Sequence, residues 1–238
     1  MKAMILAAGR GTRLRPLTNN SPKALVEIAG RTLLQIALQR LGSFGIRDFI
    51  VNTHHFADAI REYLQKNDNF GLRIEISREE ELLDTGGGLK KASWFFADDS
   101  EPFLLHNVDV ISTIDLRRML QFHQEHQPLA SLAVQARRTS RSLLFDQQGH
   151  LRARQQGEVP PGMQALAFSG IHVISPRLLT MITEEGAFSI IDSYCRLAAQ
   201  GERILAFRAD NYYWQDLGKP ENLLQAEKDI QSGKLQLA

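Results

Sequence analysis

The sequence predicts an α/β fold: a Rossmann-like, mostly parallel mixed sheet flanked by helices, with a smaller lobe richer in strands. Three observations predict it. The first half alternates short apolar runs with segments of helical spacing, which implies right-handed crossovers between parallel strands. The second half changes to strand runs, two of them flanking the turn Asp146-Gln147-Gln148-Gly149. No repeat, low-complexity tract or linker interrupts the 238 residues. One domain is therefore expected over 1–238, made of a first part (about 1–127), a second lobe (about 128–218) and a closing helix at 219–232.

Each element has its own warrant. Residues 3–8 are continuously apolar, as in a strand buried on both faces. Residues 32–44 have helical spacing, with Leu33, Leu34, Ala37, Leu38 and Leu41 on one side. Strands follow at 48–52, 72–77 and 103–106, with helices at 57–65, 88–96 and 114–126. Beyond these, 129–137, 142–145, 150–153, 165–174 and 203–208 read as strands. Helices are expected at 177–182 and 190–200, and 158–162, with two prolines, is a loop. An amphipathic helix closes the chain.

Lys plus Arg is 28 and Asp plus Glu is 27, a net charge of +1. Such a balance excludes a general binder of nucleic acid or membrane surface, so any affinity for phosphate is local. The single cysteine, Cys195, can form no internal disulfide; it sits in an apolar-periodic segment and reads as a buried, reduced side chain. No segment approaches the roughly 20 apolar residues of a membrane span. The first apolar run is too short for a secretory leader, and Arg10, Arg13 and Arg15 follow it. A cytoplasmic location is expected.

The chemistry concentrates in residues 5–23, ILAAGRGTRLRPLTNNSPK. Glycines let backbone N–H groups approach an anion, and Arg10, Arg13, Arg15 and Lys23 neutralise it, which suits a polyphosphate. Leu14 stands where a dinucleotide fingerprint would need its third glycine, and no Gly-Lys-Ser/Thr follows as in a Walker loop. A second constellation is Asp84-Thr85-Gly86-Gly87-Gly88, where bare backbone lets a planar ring lie close; Asp84 or Thr85 could equally cap a helix. A third is Asn107-Val108-Asp109, at the end of the buried run 103–106, where ligands bind in open α/β sheets. A fourth is Trp214-Gln215-Asp216-Leu217-Gly218-Lys219. Two aspartates far apart in sequence suit a hard cation that keeps waters and binds phosphate oxygens. His123 and His126 share a helical face without a third ligand, and His54-His55 precede a helix; all read as structural.

Leu6-Ala-Ala-Gly-x-Gly-Thr-Arg-Leu-x-Pro-Leu-Thr followed by Pro22-Lys23 resembles the signature loop of the sugar-1-phosphate nucleotidyltransferases. The resemblance covers the whole chain and implies a glycosyltransferase-A-like fold with a sugar-binding second lobe. It implies that Ala8, Gly9, Gly11 and Thr12 wrap a nucleoside triphosphate, that Arg13 holds the departing pyrophosphate, and that Lys23 bridges the phosphates of both substrates. The family has a Glu-x-x-x-Thr-Gly-Gly stretch beside base and ribose, which points to Glu81, Thr85 and Gly86, with Asn107 nearby. By the same resemblance Asp109 and Asp216 hold Mg²⁺, although Val108 stands where many relatives have glycine. Phe168-Ser169-Gly170-Ile171 is similar to the family's Gly-Ile stretch in the sugar pocket, which implicates Ser169 and Gly170; a β-bulge glycine explains Gly170 as well. Arg138, Arg141, Arg152 and Arg154 could reach a sugar phosphate or carboxylate, Arg141 being the one assigned to the sugar, or could form a solvated basic hairpin. The family's Glu-Lys-Pro lysine has no counterpart between Leu143 and Pro161, which leaves a second phosphate cation unassigned.

The implied reaction is nucleotidyl transfer from an NTP to a sugar 1-phosphate. The short chain is most similar to bacterial N-acetylmuramate-1-phosphate uridylyltransferases, which favours UTP. Similar short enzymes transfer guanylyl or thymidylyl groups to heptose, mannose or glucose 1-phosphates. A non-catalytic nucleotide-sugar sensor would share the fold. No nucleic-acid or membrane partner is expected, and the chain is expected to be a monomer or small homo-oligomer.

Overall fold

The computed structural model describes residues 1–97 and 100–237. Thirteen strands and six α-helices follow in chain order: β1 (Lys2–Leu6), β2 (Glu27–Ile28), β3 (Arg31–Thr32), α1 (Leu33–Ser43), β4 (Asp48–Thr53), α2 (Ala57–Lys66), β5 (Arg73–Arg78), α3 (Asp84–Lys91), β6 (Phe103–Asn107), β7 (Val110–Ser112), α4 (Leu116–His126), β8 (Ala130–Gln135), β9 (Ser142–Phe145), β10 (Leu151–Arg154), β11 (Gln164–Ile174), α5 (Ile190–Ala199), β12 (Ile204–Arg208), β13 (Trp214–Asp216) and α6 (Pro220–Gln231).

Nine strands form one mixed sheet. The order β10-β9-β11-β6-β1-β4-β5 makes its spine, and β8 joins β11 to β12. The strands β6, β1, β4 and β5 are parallel to one another, as the alternating first half predicts. The eleven-residue β11 joins the parallel strands to the antiparallel ones: Ile171–Ile174 pairs with β6, and Gln164–Ala167 pairs with β9. Both faces of the parallel part are covered. Ala3 and Ile5 of β1 point into one core and Met4 into the other, the period-2 alternation of a strand buried on both sides. Side-chain caps start α1 and α4: Thr32 Oγ1 accepts from Gln35 N at 3.1 Å, and Asp115 Oδ1 accepts from Arg117 N and Arg118 N.

Two differences from expectation bear on the site. The helix expected at 88–96 begins at Asp84, so the three glycines lie inside α3, and Ser93–Phe96 is a separate 3₁₀ turn. The strands β7 and β13, three residues each, pair antiparallel as a separate ribbon that sequence periodicity does not signal. Among the described residues no helix is long and apolar enough to cross a membrane.

Candidate active site

The opening loop leaves β1 at Leu6. Ala7 N donates to Asn52 Oδ1 at 2.7 Å, which ties the loop's first residue to the end of β4. Gly11 has a φ of +63°, and a Cβ there would lie 2.9 Å from both Lys23 Cβ and Thr18 Cγ2. Conformation and space thus both require glycine. Thr18 Oγ1 donates to Gly11 O at 2.8 Å and closes the loop on itself. The loop's one buried apolar side chain between Thr12 and Pro16, Leu14, anchors a 3₁₀ turn at Thr12–Leu14. A second turn at Lys23–Leu25 draws Lys23 inside.

The β7–β13 ribbon brings the two distant aspartates together. Asp216 is paired with Val110, the residue after Asp109, and Leu217 N donates to Asp109 O at 2.8 Å. Lys23 Nζ donates to Asp109 Oδ2. Asp216 Oδ1 accepts from Gly218 N at 2.6 Å. A Cβ placed on Gly218 would lie 2.6 Å from Arg13 Nη2, 2.6 Å from Asp216 Oδ1 and 3.2 Å from Lys23 Nζ. Three charged groups therefore converge around one glycine, and Lys23 links them to Asp109.

Two cavities flank this cluster, Lys23 and Asp109 lining one and Asp216 the other. One, of about 390 Å³, is lined by Ala8, Gly9, Lys23, Asn52 and Asp109 among others. The other, of about 540 Å³, is walled by Arg137, Arg141, Arg154, Gly170, Trp214 and Asp216 among others. Asp84, Thr85 and Asn107 line both. One aspartate thus faces each chamber, and Thr85 and Asn107 stand at the junction.

The structure also redistributes several expected roles. Glu81 is exposed and lines neither cavity. The buried carboxylate of this segment is Glu79, which accepts from Asn52 Nδ2 at 2.7 Å and from Leu83 N at 3.0 Å. Gly86 offers no open face to a ring: a Cβ there would lie 2.2 Å from the Phe188 ring and 2.9 Å from Ile190 N. Gly87 is pressed against Gly186 O, and Gly88 against Asn52 and Glu79. The glycine run is a packing surface that seats residues 186–190 over α3. Ser169 is fully buried and lies outside the cavity lining, and its carbonyl accepts from Trp214 Nε1 at 2.7 Å. Gly170 does line the larger cavity, at φ +73°, where β11 shifts register against β8; a Cβ would lie 2.7 Å from Asn107 Nδ2. The bulge and the cavity wall are one feature. Arg13 and Thr12 are exposed and line neither cavity. Val108 is accommodated by being buried, with its N–H donating to Leu6 O at 3.1 Å.

Of the second-lobe arginines, Arg152 is engaged by Asp146 and Arg154 by Asp192, and Arg138 lies outside the cavity lining. Arg141 lines the cavity, and its guanidinium has no partner among the described residues. Sequence reasoning passed over Arg137, whose guanidinium stacks 3.6 Å over the Trp214 ring. Its one sequence signal is adjacency to the end of β8. Burial lowers the Arg137 pKa against the opposing pull of Asp216. His172, which lines the larger cavity, is held neutral: burial, then the neighbouring His106, pushes its pKa down to about 3. Cys195 is half-buried, and burial raises its thiol pKa, so it is no nucleophile.

Among the described residues no group of three His, Cys, Asp or Glu forms a metal cage. Two carboxylates on paired strand ends are a donor set of hard oxygens. They suit a Mg²⁺-like ion that retains waters and accepts phosphate oxygens, and do not suit a closed zinc site.

The chain matches the nucleotidyl transferase family model over residues 2–233. It is 34% identical to N-acetylmuramate alpha-1-phosphate uridylyltransferase of Caulobacter vibrioides, over 94% of this chain and 95% of that one. It is 29% identical to mannose-1-phosphate guanyltransferase of Yarrowia lipolytica, over 94% of this chain but only 62% of that longer relative. The fold is similar to that of UDP-glucose pyrophosphorylase from Acinetobacter baumannii, with a TM-score of 0.81 at 19% identity, over 99% of this chain and 95% of that one. With a glycine loop, a buried lysine and two strand-end aspartates meeting between two chambers, this chain belongs to the nucleotidyl transferase family and is a sugar-1-phosphate nucleotidyltransferase.

Proposed function

We propose that the chain transfers a uridylyl group from UTP to N-acetylmuramic acid 1-phosphate, with Mg²⁺, in the cytoplasm where both substrates would be met. One observation carries this choice over other sugars: the larger cavity has three arginines in its wall, and Arg141 has no partner among the described residues. A sugar bearing a carboxylate as well as a phosphate suits such a wall. The Caulobacter relative is named for that sugar and matches this chain nearly end to end.

In this reading the smaller cavity takes the nucleotide and the larger one the sugar. The attacking atom is a phosphate oxygen, whose second pKa of about 6 leaves it ionised at neutral pH. It bonds to the α-phosphorus while the bond to the β-phosphate oxygen breaks and pyrophosphate leaves. No general base is required, because the attacking oxygen is already ionised. The protein's work is alignment and charge neutralisation. Arg13, which reaches Gly218 beside Asp216 and Lys23, offsets charge on the departing pyrophosphate. Lys23, held in the wall of the smaller cavity by Asp109, faces the phosphates of both substrates. When bound by Asp109 and Asp216, Mg²⁺ supplies further neutralisation of phosphate oxygens.

Guanylyl or thymidylyl transfer to mannose, heptose or glucose 1-phosphate is the competing reading, since the guanyltransferase relative shares the same alignment span. A pyrophosphate-release screen of four NTPs against a panel of sugar 1-phosphates tests the choice. UTP with N-acetylmuramic acid 1-phosphate should be fastest; faster turnover of GTP with mannose or heptose phosphate would refute it.

A further inference from the structure

Arg137 follows β8 and enters the larger cavity from a rigid frame. Its Nη2 donates to Phe168 O at 2.7 Å, and its guanidinium stacks on Trp214, whose indole is pinned by the bond to Ser169 O. Its Nε is buried with no hydrogen-bond partner. No carboxylate forms an ion pair with Arg137 among the described residues; Asp216 acts on it only through space. Taking a cation partly out of water without an ion partner is costly unless a ligand brings the negative charge. Trp214 and Asp216 belong to the same three-residue strand, so the guanidinium lies on the chamber's Asp216 side. Arg154, by contrast, already has Asp192.

We propose that Arg137 is the cation that binds the phosphate of the sugar 1-phosphate, with Trp214 as the platform that fixes the guanidinium plane. The assignment rests on transfer to a sugar 1-phosphate and is independent of which sugar is used. A lysine cannot reproduce it, because an ammonium neither stacks on the indole nor presents a planar fork.

The protein has two tryptophans, and Trp94 is 56% exposed. A Trp94→Phe background therefore makes Trp214 the sole indole reporter. Three probes are titrated by its fluorescence: N-acetylglucosamine 1-phosphate, N-acetylglucosamine, and N-acetylmuramic acid, which has the carboxylate and no phosphate. Arg137→Gln and Arg137→Lys should each weaken the sugar 1-phosphate by about 30-fold, while affinity for UTP stays within about twofold and both variants melt as the parent does. Binding of N-acetylmuramic acid should be unchanged. Unaltered affinity for the sugar phosphate in Arg137→Gln, or full rescue by lysine, would overturn the proposal. So would an equal loss for N-acetylmuramic acid, which would assign Arg137 to the carboxylate. A parent protein that binds the sugar phosphate in this way but turns it over with no NTP would refute the transferase reading and leave the Arg137 assignment standing.

Discussion

Lys23 Nζ donates to Asp109 Oδ2 across 86 positions of sequence, and both side chains are nearly withdrawn from water, at 10% and 15% exposure. This bond joins the phosphate loop to the strand-end carboxylate. Removing one partner leaves the other charge buried and alone. Lys23→Met should therefore lower stability by about 3 kcal/mol, read by urea unfolding, and should slow turnover by at least about 100-fold. A variant with wild-type stability and rate would show that the pair is incidental.

Gly218 is the point on which Arg13, Asp216 and Lys23 close. Gly218→Ala adds one methyl group among three charged atoms 2.6 to 3.2 Å away. A misplacement of about 1 Å at a reacting centre costs about 100-fold in rate. We expect kcat to fall by about that factor, with a far smaller change in melting temperature. A rate within about threefold of wild type would mean that this cluster tolerates rearrangement.

The glycine run in α3 permits a discriminating test. Gly86→Ala forces the added Cβ into the Phe188 ring and Ile190 N, and such overpacking costs about 1–3 kcal/mol. Ser189, Ile190 and Ile191 line the larger cavity, so if that cavity takes the sugar as proposed, KM for the sugar phosphate should rise more than KM for the NTP. The reverse order would restore the role in holding a planar ring.

Much of this was legible in the sequence. The alternation of strands and helices followed from apolar runs that are buried on both sheet faces, and the loop, Asn107-Val108-Asp109 and Asp216 carried their chemistry in their residue types. Other parts depend on contacts between distant segments. Glu79 and Glu81 are alike in type, spacing favours Glu81, and only the contact with Asn52 shows Glu79 as the buried carboxylate. The β7–β13 ribbon is too short to show periodicity. Nothing in the local sequence marks Arg137; its role depends on Trp214, 77 positions away, lying under its guanidinium.

Three buried histidines should make the fold sensitive to acid. Burial lowers His106 and His123 to about 4 and His172 to about 3, against about 6.5 in an unfolded chain. Between pH 6.5 and about 4 the unfolded state binds more protons, so stability rises with pH across that window and is flat above it with respect to these groups. The melting temperature should be level from pH 8 to 7 and fall steadily from pH 6.5 to 4.5. His123→Asn should shallow that slope; an unchanged slope would remove His123 from the account.

The central claim is that Asp109 and Asp216, joined across the β7–β13 ribbon, serve one metal-dependent transfer between the two chambers. The most direct measurement is pyrophosphate release from UTP and N-acetylmuramic acid 1-phosphate with Mg²⁺, in the wild type, Asp109→Asn and Asp216→Asn side by side. We expect equimolar pyrophosphate and UDP-sugar from the wild type, rates lower by at least about 1,000-fold in each variant, and folded proteins throughout. A near-wild-type rate in either variant would contradict the account.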